Sequence, residues 1–156
     1  MIPASSPLAA PDPGLWLVRC RDAAHLAGEA ARCVVDEAVR AGGGPLTLAL
    51  SGGRICQSFY PALVAENRRR GAALGTARFF WADERGVPPD HADSNYRAAA
   101  ELLLRPLVVP SESIHRLRGE APPEEAVAEA RAALAALPGR DPRGVPVLDL
   151  VLLGMG

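Results

Sequence analysis

The sequence predicts an α/β fold: a mostly parallel sheet with helices on both faces. Short apolar runs alternate with alanine-rich amphipathic stretches along the chain. One run, Val147–Leu153, is broken only by Asp149, the pattern of a strand covered on both faces. A length of 156 residues, with no internal repeat and no shift in composition, suits one compact domain.

The elements follow in order. Residues 1–14 are rich in proline and small residues and read as a disordered leader, leaving 15–156 as the domain. Leu15–Val18 is a short strand candidate. Asp22 is an N-cap for a helix to about Arg40, stopped by Gly42, Gly43 and Gly44. Leu46–Leu50 is a second strand. After a Ser-Gly-Gly turn, Ile55, Phe59 and Leu63 recur at helical spacing. Ala77–Ala82 is a third strand, followed by a polar loop with Pro88 and Pro89. Ser94 starts a helix to about Leu104, and Ser113–Leu117 is a short fourth strand. Pro122 and Pro123, with Glu124 and Glu125 behind them, mark the start of another helix. Its apolar stripe is Val127, Ala130, Leu134 and Leu137. Pro138–Pro146 is a loop, and Val147–Leu153 is the last strand, expected to be buried on both faces.

Composition narrows the function classes. Seventeen basic residues face 18 acidic ones, for a formal charge of -1. That balance gives no electrostatic case for nucleic acid or an anionic membrane as partner. Every basic residue is arginine, so no lysine Schiff base can form on this chain. No apolar run approaches the ~20 residues that cross a bilayer, and the start lacks the features of a signal peptide. Cys20, Cys33 and Cys56 make no C-x-x-C pair and no metal-ligand spacing. Such a scattered set fits a reducing, cytoplasmic compartment, and the reading includes no metal and no cofactor.

Three strands end in glycine or charge, and in a parallel sheet those ends share one edge, where ligands bind. Ser51-Gly52-Gly53 leads into a helix whose free N–H groups favour an anion, with Arg54 beside them. The competing reading is a plain tight turn. Asp83-Glu84-Arg85 cannot continue a buried strand; it positions a polar ligand or forms a surface ion pair. Gly154 and Gly156 follow the last strand. His25, His91 and His115 read as surface, loop and structural residues, none of them beside these strand ends. Cys56 lies near a helix N-terminus, which lowers a thiol's pKa, but no base is evident for it. Phe79, Phe80, Trp16 and Trp81 read as core.

Together these segments resemble the 6-phosphogluconolactonase family. Its pattern runs S-G-G, then D-E-R-x-V-P-x-D-x-x-x-S-N-Y, then L-G-M-G, each after an apolar strand. The matches are Ser51-Gly52-Gly53; Asp83-Glu84-Arg85 with Val87, Pro88, Asp90, Ser94, Asn95 and Tyr96; and Leu153-Gly154-Met155-Gly156. Related glucosamine-6-phosphate deaminases carry D-E-Y at the second motif, so Arg85 favours the lactonase. The resemblance implies hydrolysis of 6-phosphoglucono-δ-lactone to 6-phosphogluconate in the pentose phosphate pathway, without metal or organic cofactor. It implies Arg85 and Asp83 as catalytic residues. Ser51, Gly52, Gly53, Arg54, Asn95, Gly154 and Gly156 are implied to bind a small sugar phosphate. Two departures stand out. The family follows S-G-G with a small hydroxyl residue and a proline, where this sequence has Arg54-Ile55-Cys56. The family's L-G-M-G continues into D-G-H-T-A, whose histidine is the presumed general base, whereas this sequence ends at Gly156. It therefore reads as an N-terminal portion of the fold, its C-terminal part missing, with little hydrolysis expected of it alone. The alternatives are a non-catalytic sugar-phosphate binding protein on the same scaffold and a deaminase-like enzyme.

Overall fold

A computed structural model describes residues 17–42, 44–72 and 74–154. The predicted leader, Leu15, Trp16, Gly43 and Gly156 lie outside the described residues. Four strands, β1 (Thr47–Leu50), β2 (Arg78–Trp81), β3 (Ile114–His115) and β4 (Leu150–Val151), form one sheet in the order β3-β2-β1-β4. Every pairing is parallel. The predicted fold class therefore stands, with β1 and β2 at the centre.

The helices are α1 (Ala23–Arg40), α2 (Cys56–Arg70), α3 (Asn95–Ala99) and α4 (Pro123–Ala135). The start of α1 follows from its cap: the Asp22 carboxylate accepts from the His25 N–H at 2.7 Å. Ala27, Ala31, Val34, Val35 and Ala38 then bury one face of that helix. Ser94 caps α3 in the same way, accepting from the Arg97 N–H, and the helix runs on as a π turn over Ala100–Leu104.

Alternation along the strands sorts the core. Leu48, Leu50, Phe79 and Trp81 face the larger layer, with α1, α2 and α3. Ala49 and Phe80 face the other side, where they meet Leu137, Ala133 and Leu134. That second layer is thin. No residue of α4 is fully buried, and Val127, predicted in its apolar stripe, is 48 % exposed.

The last strand is shorter than the predicted Val147–Leu153. Only Leu150–Val151 pairs, and Val151 and Leu153 are 49 % and 73 % exposed. Among the described residues β4 has one neighbour, β1. It is held in register by Asp149, whose carboxylate accepts from the Thr47 N–H at 2.8 Å and the Thr47 hydroxyl at 2.6 Å. The Asp149 N–H donates back to Thr47 Oγ1 at 2.9 Å. The interruption in the apolar run is thus the clamp that seats the strand. Predicted strand Ser113–Leu117 likewise shortens to the two residues of β3, because Ser113 closes a 3-10 turn.

Candidate active site at the carboxyl ends of β1 and β2

Beyond Leu50 the chain must leave the sheet and start α2 within five residues. Gly53 makes the bend at φ +105°, a conformation that disfavours any side chain. Gly52 is required for a different reason. A Cβ there would lie 1.7 Å from Asn95 Oδ1, so the two segments pack only without it. Among the described residues nothing accepts the N–H of Gly52, Gly53, Arg54 or Ile55. Ile55 provides no side-chain cap for α2. Four N–H groups without an acceptor among the described residues therefore lead directly into the N-terminus of α2.

Ser51 fixes the turn to its neighbours. Its hydroxyl donates to the Leu152 carbonyl at 2.5 Å, joining the ends of β1 and β4. Its own carbonyl accepts from the Tyr60 hydroxyl at 2.9 Å and from the Cys56 thiol at 3.3 Å. Burial pushes the Cys56 thiol up in pKa, the reverse of what its place near a helix N-terminus predicts. Burial likewise holds the Tyr60 phenol far above its ordinary range. Both groups stay protonated and serve as donors, which removes Cys56 as a nucleophile.

At the end of β2, the three charged residues divide their work. Asp83 is exposed, and its carbonyl and carboxylate accept from Asn95 Nδ2 at 3.1 and 3.2 Å. Glu84 turns back to the start of α3. Its carboxylate accepts from the N–H groups of Asn95 and Tyr96 at 2.8 and 2.9 Å, and from the Ser94 hydroxyl at 3.3 Å. Arg85 is exposed, and its guanidinium meets no acceptor among the described residues. Arg54 is in the same position. Most arginines elsewhere pair with a carboxylate, as Arg69 does with Glu66 and Arg116 with Glu120. The segments after β1 and β2 thus each carry a guanidinium that meets no acceptor among the described residues.

Among the described residues, Asn95 links the turns after β1 and β2, and Ser51 links β1 to the end of β4. Asn95 is only 5 % exposed and joins the two turns, its amide on Asp83 and its oxygen against Gly52. Gly154 follows the β4 end, with open space where a Cβ would stand. The histidines lie apart in their contacts. His25 meets Glu29, His91 accepts from the Asp93 N–H, and His115 stacks on Phe80 at 4.6 Å. Burial, with Arg78 nearby, lowers the His115 pKa, so the ring is neutral near pH 7. Sequence reasoning placed Glu84 at the strand end but missed its role as acceptor for the start of α3. Those partners lie 10 to 12 residues away, beyond the reach of local capping rules.

Comparison with known proteins agrees with this geometry. The family described as glucosamine-6-phosphate isomerases/6-phosphogluconolactonase matches residues 21–156. A 6-phosphogluconolactonase of Treponema pallidum is 41 % identical over 111 residues, covering 71 % of this chain and 45 % of the relative. One of Haemophilus influenzae is 33 % identical over 112 residues, covering 72 % and 46 %. The solved 6-phosphogluconolactonase of Trypanosoma cruzi superposes with a TM-score of 0.74 at 29 % identity, covering 88 % of this chain and 57 % of that one. A monomeric glucosamine-6-phosphate deaminase superposes at 0.62 with 18 % identity, a likeness of fold alone. The chain spans about half the length of the relatives it matches. A family match over nearly the whole chain, on a parallel sheet with these turns at its carboxyl edge, places it in the glucosamine-6-phosphate isomerase/6-phosphogluconolactonase family.

Proposed function

We propose that this chain carries the phosphate-binding and charge-stabilising part of a 6-phosphogluconolactonase site, for hydrolysis of 6-phosphoglucono-δ-lactone to 6-phosphogluconate. The observation that carries the reading is the run of free N–H groups at Gly52–Ile55, together with two guanidiniums, Arg54 and Arg85, on the segments after β1 and β2, that meet no acceptor among the described residues. A dianionic phosphate gains from these N–H groups and Arg54, and the charge that develops on the lactone gains from Arg85. The names and identities of the relatives support the lactone as substrate.

The chemistry requires three things. A base takes a proton from water as its oxygen attacks the lactone carbonyl carbon. Donors hold the developing oxyanion. The ring C–O bond then breaks, and the leaving oxygen takes a proton. In this reading Arg85 stabilises the oxyanion, and Asp83 orients the sugar through its exposed carboxylate. Ser51, Gly52, Gly53 and Arg54 grip the phosphate, so that remote binding energy positions the reacting carbon. Asn95 braces the two turns and offers only its edge to the ligand. Gly154 leaves room beside the base. The base itself is the histidine that the family pattern places in the motif after Leu-Gly-Met-Gly. A cytoplasmic setting accords with three free cysteines.

The test is calorimetric titration of the chain with 6-phosphogluconate, alongside lactone hydrolysis above the spontaneous rate. Saturable binding that Arg54→Ala and Arg85→Ala each weaken supports the reading; binding indifferent to both refutes it. A second reading, sugar-phosphate binding without turnover, draws on the fact that no described histidine contacts these turns. Saturable binding with no hydrolysis above the spontaneous rate favours it.

A further inference from the structure

We propose that Glu84 is a positioning residue for Arg85, an inference that rests on the sugar-phosphate reading above. The Arg85 side chain is exposed and unpaired, so its aim depends on how firmly its backbone is held. That backbone is held on both sides. Its N–H donates to Glu84 Oε1 at 2.8 Å. Its carbonyl accepts from the Val87 N–H at 2.7 Å. Gly119 packs so closely against the same carbonyl that a Cβ there would lie 1.9 Å from the oxygen.

The oxygen that holds the Arg85 N–H also holds the N–H of Asn95, at 2.8 Å. Asn95 in turn rests on Gly52, at the start of the anion turn. The second oxygen accepts from the Tyr96 N–H and the Ser94 hydroxyl. One carboxylate therefore joins the Arg85 backbone, the first turn of α3 and, through Asn95, the turn that holds the phosphate. The negative charge suits the task, because all four partners are donors and three of them are backbone N–H groups. Glu84 spends its acceptor capacity on the protein and leaves Arg85 for the ligand.

A double-mutant cycle on the full chain tests this, with 6-phosphogluconate as the probe and Kd as the readout. Glu84→Gln replaces one acceptor oxygen with a donor facing other donors. It is expected to weaken binding about tenfold in the wild-type background and less than about twofold in the Arg85→Ala background. Glu84→Asp keeps the charge on a shorter arm and is expected to restore part of the loss. Ser94→Ala loosens the cap of α3 without releasing the Arg85 N–H. It is expected to lower Tm while leaving Kd within about twofold of wild type. If Glu84→Gln does not fold, Glu84→Asp carries the same cycle. Equal losses in both backgrounds, or a Ser94→Ala variant as weak as Glu84→Gln, overturn the proposal. A wild-type chain that fails to bind the probe refutes the functional reading itself, and this role of Glu84 with it.

Discussion

The contact between Gly52 and Asn95 yields the sharpest stability prediction. A Cβ at Gly52 would fall 1.7 Å from Asn95 Oδ1, 2.2 Å from its Cγ and 2.8 Å from its Nδ2. All three are far inside van der Waals contact, so Gly52→Ala forces the Asn95 side chain away. That side chain is buried and makes two hydrogen bonds to Asp83. Losing them costs about 0.5–1.5 kcal/mol each. Overpacking at a tight site adds about 1–3 kcal/mol. The expected cost of Gly52→Ala is therefore about 2–6 kcal/mol, a large share of the ~5–15 kcal/mol of a typical domain. The coupling is the decisive part. In an Asn95→Ala background the clashing atoms are gone, so adding Gly52→Ala should cost less than about 1 kcal/mol. Urea unfolding of the four proteins, followed by circular dichroism, measures both numbers. A Gly52→Ala single variant as stable as wild type, or a cost undiminished by Asn95→Ala, refutes this packing.

Further predictions concern the strand clamp, the buried thiol and the acid limb of stability. Asp149→Ala should cost about 2–4 kcal/mol, because it leaves the Thr47 N–H and hydroxyl without their acceptor. Hydrogen exchange at Leu152, whose N–H bonds the Ala49 carbonyl, should rise sharply; unchanged protection there contradicts the clamp. In the native state iodoacetamide should label exposed Cys33 far faster than buried Cys56. Because the Cys56 pKa is raised, its burial stabilises the fold fully below the thiol's ordinary pKa. That contribution falls as pH climbs past it, since the unfolded state ionises first. Cys56→Ala should flatten this alkaline decline, and an unchanged slope counts against the assignment. Glu120 is held down to about 2, first by its hydrogen bonds to Arg116. Its contribution is present above its ordinary 4.5 and is lost as pH falls toward 2. Glu120→Gln should reduce the acid-induced fall in Tm over that window; a fall identical to wild type refutes the pairing.

Much of this was legible in the sequence, for identifiable reasons. The Asp22 cap and the glycine stop located α1, helical spacing located α2 and apolar runs located the central strands, and all pack in the same core. Pro122 and Pro123 marked α4 because fixed φ and a missing N–H suit only a helix start. Parallel pairing of β1 with β2 and β4 sets their carboxyl ends on one edge of the sheet. The misses were all tertiary. Val147–Leu153 reads as one seven-residue strand, but among the described residues only Leu150–Val151 pairs, with β1. Cys56 sits at a helix N-terminus, yet burial outweighs the dipole and raises its pKa. The role of Glu84 depends on partners across a loop, and no local spacing encodes it.

The central claim is that the turns after β1 and β2 hold a phosphorylated sugar. Its most direct test is a titration of 15N-labelled chain with 6-phosphogluconate, followed amide by amide. The account predicts the largest saturable shifts at Gly52, Gly53, Arg54 and Ile55, whose N–H groups are unpaired, with a second group at Arg85. Arg85→Ala should weaken the titration at least about tenfold while the rest of the spectrum keeps its dispersion. Shifts confined to the α4 side of the sheet, around Phe80 and His115, or no saturable shift at all, would contradict it.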